Sequence, residues 1–327
     1  MDTMKERFTT PLSRRAMSPR LHAIRDHMRH DIGLALFPAL AHHLDIYAAI
    51  WALLRESMIA GPGTRVDKEI VAAAVSMANR CSYCIAAHTT FLHAVSRHDV
   101  ADAIWNDEPP RDRHHADLIR WAKDSARHAT PPPFTLDDAP GIIGTAVTFH
   151  FVNRMVSSLM DENLLPGGLQ RSRTVRRVAG GALGSTAKRH HQPGTAISHL
   201  GPARSPLAPA WSGTGPISEA YRALSAATRA DDLLSPQAHQ LIRGTVADLA
   251  GTRPSQGDWA EPILADLAPQ ERTAARIALL TATTGHHLTD DHIRQWRNGH
   301  TDADLVRLAA TGAMVTVEPI AAALSTR

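Results

Sequence analysis

Both cysteines of this 327-residue chain lie in one segment, residues 77–91. Cys81 and Cys84 are three residues apart, and His88 follows Cys84 by four residues. Side chains three and four residues apart share one face of a helix, so these three lie side by side if the segment is helical. The thiols are then close enough for a disulfide after modest adjustment. The segment therefore indicates a functional site built around the two thiols.

Glu69 can join this site only if the chain folds back on itself. It lies twelve residues before Cys81, and in one straight helix it would be about 22 Å along the axis from Cys84, at about 1.5 Å per residue. We therefore expect a helix break near residues 79–80. Such a break would place Cys81 at a helix N-terminus, where unpaired N–H groups and the helix dipole lower a thiol pKa.

Three kinds of site fit these residues. In a redox pair, one thiol attacks and the other closes a disulfide; the dipole favours Cys81 as the more acidic thiol, whereas the spacing gives Cys84 a base in His88. In a metal site, Glu69 would be the fourth ligand, although such zinc sites usually have a second Cys/His pair and the chain has no further cysteine. The third is a structural pair of helix cysteines. We favour thiol redox chemistry.

The composition favours helices and argues against several classes of protein. Hydrophobic residues make up 43% of the chain and aromatic residues only 5%. Alanine is abundant, which favours helices packed through small side chains. The net charge of +3 gives only weak support to nucleic-acid binding. The chain has no run of eighteen apolar residues and no secretory signal pattern, so we expect a cytoplasmic protein with no membrane span.

Breaks in the helical pattern divide the chain into four parts. Residues 1–20 contain two prolines and indicate a mobile arm. Residues 21–168 are a helical domain with the thiol pair. Residues 169–216 are basic and rich in Gly, Pro and Ser, which is typical of a linker or a long surface excursion; its basic residues could also meet an anionic partner. Residues 217–327 return to helical periodicity.

The last part of the chain resembles the domain with the thiols. Residues 67–88 can be laid on residues 269–290 so that Glu69 falls on Glu271, but the second segment has no cysteine. We interpret this last part as a degenerate copy that has kept the helices and lost the thiols. One active site per chain is therefore expected.

Glu69, the Cys-Ser-Tyr-Cys segment at 81–84 and His88 together resemble the signature of the AhpD-like alkylhydroperoxidases of the carboxymuconolactone decarboxylase superfamily. Residues 149–159, FHFVNRMVSSL, resemble the final core helix of its peroxidase-related branch. The resemblance extends over about residues 30–165 and is weak in the last part of the chain. It implies an all-α, AhpD-like helical bundle, in two tandem halves of which the second is degenerate.

The resemblance also implies roles for the residues of the site. Cys84 would be the peroxidatic thiol, which forms a sulfenic acid, and Cys81 the resolving thiol, which closes the redox-active disulfide. Glu69 and His88 would relay the proton that activates Cys84. Tyr83 stands where some members have a histidine that assists this relay, and it is counted as a supporting residue. No cofactor other than the Cys81–Cys84 disulfide is implied.

The implied partners are a hydroperoxide substrate and an external thiol reductant, either a protein or a small dithiol. Subunits of the family commonly form trimers or hexamers, so a homo-oligomer is expected, with no membrane or nucleic-acid partner. Two alternatives stay open. The protein could be a non-catalytic redox sensor or thiol–disulfide binding protein whose disulfide changes the packing. It could also be a decarboxylase of the superfamily, but those enzymes act on a lactone without the thiol pair.

Overall fold

The computed structural model describes residues 5–127, 130–161, 163, 166–205, 207–249, 251–252, 254 and 258–326. Over these residues the fold is all-α, as the sequence predicts, with fourteen α-helices. The β pairing found among them is a single antiparallel bridge between Glu6 and Met160.

The helices of the N-terminal half are α1 (Pro19–Ile32), α2 (Leu44–Leu54), α3 (Arg65–Ala78), α4 (Ser82–Ala94), α5 (His98–Trp105), α6 (Arg113–Asp124) and α7 (Ala139–Leu159). Those that follow are α8 (Arg173–Ala187), α9 (Pro216–Ala227), α10 (Pro236–Leu249), α11 (Ala260–Leu264), α12 (Pro269–Thr283), α13 (Asp290–Trp296) and α14 (Asp302–Ala323). A π-helical turn at Arg55–Ile59 extends α2.

Two long apolar helices form the centre of the molecule. Helix α7 is buried over nearly its whole length and packs against α3, α12 and α14. Helix α14 is long and apolar enough to cross a membrane, but 72% of its most apolar window is buried inside the protein. It packs against α7 and α12, which is the position of a core helix.

The helix order in the C-terminal half follows the repeat that the sequence suggests. Helix α12 packs on α14 as α3 packs on α7. The chain breaks after Thr283, the last residue of α12, and a short 3-10 segment precedes α13. Where the N-terminal half has the single helix α4, this half has a short 3-10 segment followed by α13. The helix that carries the thiol site therefore has no continuous counterpart here.

Residues 5–18 are packed against the body of the protein, so the prediction of a mobile arm is wrong for this part of the chain. Glu6 pairs with Met160, and Phe8 is buried. The Arg297 guanidinium donates a hydrogen bond to the carbonyl oxygen of Phe8. Helix α1 then begins at Pro19, with the Ser18 hydroxyl accepting a hydrogen bond from a backbone N–H of its first turn.

The segment expected to be a linker, residues 169–216, is instead part of the body. Helix α8 packs along α4, the helix of the thiols. Its close approach depends on Gly180, because a Cβ there would lie 2.7 Å from the carbonyl oxygen of Thr90. Arg173 and Arg177 pair with Asp102 on α5, so these basic residues make intramolecular contacts. Gly180, one of the glycines that suggested a linker, thus allows close helix packing.

Two neighbouring glycines on α8 test this packing. Replacing Gly180 with alanine should lower the free energy of unfolding by about 1–3 kcal/mol, because the new methyl group overlaps the α4 backbone. A Cβ at Gly181 has no atom within 4 Å, so Gly181→Ala should be neutral or stabilising by up to about 1 kcal/mol through helix propensity. Urea unfolding measures both. Equal effects of the two substitutions would contradict the close α4–α8 packing.

Candidate active site

The chain breaks between α3 and α4 at the place that the sequence predicts. Asn79 ends α3, and Arg80 has a left-handed backbone conformation with φ of 55°. Cys81 is the N-cap residue of α4, and its N–H donates to the carbonyl oxygen of Ser76 at 2.9 Å. This reversal lays α4 against α3 and brings His88 next to Glu69.

A buried ionic cluster joins the two helices. The Glu69 side chain is fully buried, and its Oε2 accepts a hydrogen bond from Nδ1 of His88 at 2.7 Å. Its Oε1 is contacted by Nε and Nη2 of Arg65, both at 2.8 Å. Arg65 lies one helical turn before Glu69 on α3. The predicted break near residues 79–80 thus brings Glu69 to His88, whereas Arg65 was not among the predicted site residues.

The cluster keeps the Glu69 carboxyl ionised. Burial alone would raise its pKa, but the charge of Arg65 and the hydrogen bonds from His88 and Arg65 outweigh burial, so the pKa of Glu69 is lowered. The carboxylate therefore holds the N–H at Nδ1 of His88. Nε2 is then the nitrogen of the ring that can accept a proton.

Both thiols are free and almost completely buried, with exposed fractions of 3% for Cys81 and 2% for Cys84. Burial raises the pKa of Cys84 well above its usual value, and Cys81 adds to the rise, while hydrogen bonds from Asn153 and Ser76 act in the opposite direction. The resting Cys84 is therefore a protonated thiol. It needs a base before it can act as a nucleophile.

Cys84 lines an apolar cavity of about 170 Å³. Glu69, His88 and Arg65 lie on the same wall, and Tyr83 also contributes to the lining. The remaining walls are almost entirely apolar and come from several elements, among them Leu36, Phe37, Leu54, Met58, Phe91, Phe149 and Val152. The cavity thus combines one ionic, thiol-bearing wall with a surface suited to an apolar ligand.

Helix α8 forms part of the wall of this cavity, which was not expected from a segment interpreted as a linker. Val175, Ala179 and Leu183 of α8 are among the lining residues. From α7, Phe149 contacts the His88 ring edge-on, with ring centroids 4.3 Å apart. The predicted residues Glu69, Tyr83, Cys84 and His88 all line the cavity, while Cys81, the N-cap residue of α4, is not among the lining residues.

The metal interpretation finds no support in the arrangement of these side chains. Within the part of the chain that the structure describes, no group of three or more His, Cys, Asp or Glu side chains is placed to hold a metal ion. Glu69, the fourth ligand in that interpretation, is instead hydrogen-bonded through Oε2 to Nδ1 of His88.

The ionic cluster makes a prediction about stability and pH. Arg65→Met leaves the buried Glu69 carboxylate without its cation, so the free energy of unfolding should fall by about 3 kcal/mol at pH 7. In the wild type the lowered pKa of Glu69 stabilises the fold above the unfolded-state pKa of about 4.3, and this contribution is lost as the pH falls through the folded-state pKa. In the variant, Glu69 takes up a proton at a higher pH than in the wild type. The difference in the free energy of unfolding between the two proteins should therefore shrink towards pH 4.

Urea unfolding at pH 7 and near pH 4 measures this difference. The double variant Arg65→Met/Glu69→Gln is the matched control, because it removes both charges and should recover most of the lost stability. A loss in Arg65→Met that is independent of pH and is not recovered in the double variant would contradict the buried ion pair.

Three comparisons relate this chain to known proteins. The model of the carboxymuconolactone decarboxylase family matches residues 45–124. An alkyl hydroperoxide reductase of Mycobacterium tuberculosis is 36% identical over 280 residues, which are 84% of this chain and 81% of that protein. A solved structure with similarity to this chain is an alkylhydroperoxidase AhpD core, an uncharacterized peroxidase-related protein from Ralstonia eutropha JMP134. The alignment covers 53% of this chain and 96% of that protein, with 21% sequence identity and a TM-score of 0.43. Since the mycobacterial relative matches most of both chains, this chain belongs to the carboxymuconolactone decarboxylase family, as an AhpD-like member.

Proposed function

We propose that the protein is a thiol-dependent alkyl hydroperoxide reductase, with Cys84 as the peroxidatic thiol and Cys81 as the resolving thiol. One observation carries the proposal: a buried carboxylate orients His88 on the wall of an apolar cavity that Cys84 also lines. The mycobacterial relative named as an alkyl hydroperoxide reductase supports the same activity class.

The first step converts Cys84 to a sulfenic acid. Nε2 of His88 takes the Cys84 proton, directly or through a water, while Glu69 stabilises the imidazolium that forms. The thiolate attacks the terminal oxygen of the hydroperoxide, the S–O bond forms and the O–O bond breaks. The leaving alkoxide takes the proton from His88 and departs as an alcohol. Cys84 is oxidised by two electrons and the peroxide is reduced.

The second step closes the disulfide. The Cys81 thiolate attacks Sγ of the sulfenic acid, and hydroxide leaves and takes up a proton to become water. An external dithiol, either a protein or a small molecule, then reduces the disulfide and is itself oxidised. This cycle requires no metal or organic cofactor. We propose that it takes place in the cytoplasm and in a homo-oligomer.

The cavity supports an organic hydroperoxide as the preferred substrate. Its walls are apolar outside the thiol-bearing side. Burial of the organic part of such a peroxide against these walls favours binding, whereas hydrogen peroxide has no organic part to bury.

A redox sensor is the second candidate, and one contact favours it. Helix α8 packs directly on α4, which carries Cys84 and is capped by Cys81. A disulfide between Cys81 and Cys84 would change the start of α4, and α4 is the helix on which α8 packs. Turnover separates the two functions, because a sensor oxidises once per chain while a reductase consumes peroxide as long as dithiol is supplied.

Stopped-flow measurement of cumene hydroperoxide consumption, with dithiothreitol as reductant and counting of free thiols, tests the proposal. Cys84→Ser should abolish turnover, because the attacking sulfur is gone. With dithiothreitol left out, Cys81→Ser should consume one equivalent of peroxide per chain and leave a sulfenic acid at Cys84 that dimedone traps. Wild type should consume cumene hydroperoxide faster than hydrogen peroxide.

The outcomes separate the alternatives. Full turnover in both cysteine variants would exclude the thiol mechanism. Oxidation of both thiols in the wild type without repeated turnover, with dithiothreitol or dihydrolipoamide, would replace the reductase by a sensor.

A further inference from the structure

The wall that α8 contributes to the thiol cavity takes no part in the proposed chemistry. Val175, Ala179 and Leu183 line the cavity from this helix. They follow one another at intervals of four residues, so they lie in a row along one face of α8. We call this set the α8 row. Its middle position carries only a methyl group, so the row leaves most room for a ligand beside Ala179.

The size of the cavity indicates what kind of organic group it can hold. Its volume is about 170 Å³, and an apolar protein cavity of about 150 Å³ binds benzene. A single ring or a branched alkyl group therefore fits, and its burial against the apolar lining favours binding. Cys84 and His88 line the same cavity, so a hydroperoxide whose organic group is bound there has its O–O bond close to the thiol.

The α8 row cannot move away from the cavity without losing contacts with α4. Gly180 follows Ala179 directly in the sequence. A Cβ at position 180 would lie 2.7 Å from the carbonyl oxygen of Thr90 and 2.8 Å from Cβ of His93. The α8 backbone is therefore in close contact with α4 beside the middle of the row.

Contacts outside the row also hold α8 in place. At the start of the helix, Arg173 pairs with Asp102 of α5. After the helix, the buried carboxylate of Glu56 accepts hydrogen bonds from the backbone N–H groups of Gly194 and Ala196, at 2.6 and 3.2 Å. The chain is thus attached to the body of the protein on both sides of the row, and a larger side chain in the row must take its space from the cavity.

Resting on the proposed function, we propose that the α8 row selects the substrate and that Ala179 is its specificity-determining residue. The substrate class is an organic hydroperoxide that carries a single ring or a branched alkyl group next to the O–O bond. The row contacts this organic group, whereas Cys84 and His88 act on the O–O bond and on the proton. Changes in the row therefore alter the binding of the organic group and leave the chemical step intact.

Steady-state peroxide consumption with dithiothreitol tests this assignment on hydrogen peroxide, tert-butyl hydroperoxide and cumene hydroperoxide, in order of increasing size. Ala179→Leu adds an isopropyl group to the wall. It should lower kcat/KM for cumene hydroperoxide by about tenfold or more, with a smaller loss for tert-butyl hydroperoxide and none for hydrogen peroxide. The loss should appear mainly in KM, because the organic group is bound equally in the ground state and in the transition state.

Ala182→Leu is the matched control. Ala182 lies on the same helix but is exposed and is not a lining residue, so the same chemical change there should leave kcat/KM for all of these peroxides unchanged. An Ala179→Leu variant that keeps the wild-type ratio of kcat/KM between cumene hydroperoxide and hydrogen peroxide would overturn the proposal, whatever its absolute rates.

The opposite change covers the case in which Ala179→Leu does not fold. Leu183→Ala removes an isopropyl group from the row, and diisopropylbenzene monohydroperoxide carries one isopropyl group more than cumene hydroperoxide. The variant should therefore raise kcat/KM for this larger peroxide, relative to cumene hydroperoxide, by about tenfold. An unchanged ratio would show that the α8 row does not select the substrate.

Binding without turnover separates this proposal from the proposed function. Cumyl alcohol is the product of cumene hydroperoxide reduction, and calorimetry measures its binding to the reduced wild type and to reduced Ala179→Leu. Binding that is weaker in the variant by about tenfold or more, in a protein that consumes no peroxide, would support the α8 row as the wall of a binding site and overturn the reductase. Equal binding to both proteins, in an enzyme that turns over, would overturn the role of Ala179 and leave the reductase standing.

Discussion

The buried Glu69 carboxylate is the constraint on which the site depends. A carboxylate without solvent is tolerated only when cations and hydrogen-bond donors surround it. Arg65 supplies the charge from the same helix, and His88 supplies a donor from the next one. The His88 contact forms only because the chain reverses at residues 79–81. The same reversal places Cys81 at the start of α4 and Cys84 one turn before His88, so the ionic cluster and the thiol pair are two consequences of one turn.

Burial of the thiols sets the chemical problem that the surrounding residues solve. Cys84 is almost inaccessible, and its pKa is raised by that burial. A reactive thiolate in this place needs a base for its proton. In the account proposed here, His88 is that base. Helix α8 forms part of the cavity wall, and its fit against α4 requires that position 180 has no side chain.

Local spacing predicted the part of the site that is close in sequence. The positions of Cys81, Cys84 and His88 follow from helical periodicity, and the distance to Glu69 demanded the observed break. Arg65 was within reach of the same reasoning, since it lies four residues before Glu69. The contact of Phe149 with His88 was not, because the two residues are 61 positions apart and only the packing of α7 brings the two rings together. Helix α8 was misjudged because its glycines and arginines resemble linker composition, although Gly180 allows close packing on α4 and Arg173 and Arg177 pair with Asp102.

The central claim is that the Glu69 carboxylate makes His88 the base for Cys84. It is tested most directly by a single-turnover stopped-flow measurement, in which reduced protein is mixed with cumene hydroperoxide and disulfide formation is followed. Glu69→Gln keeps the shape of the side chain but removes its charge. The account predicts that the rate falls by about a hundredfold or more, the contribution expected of an oriented general base. A folded Glu69→Gln variant that forms the disulfide at the wild-type rate would contradict it.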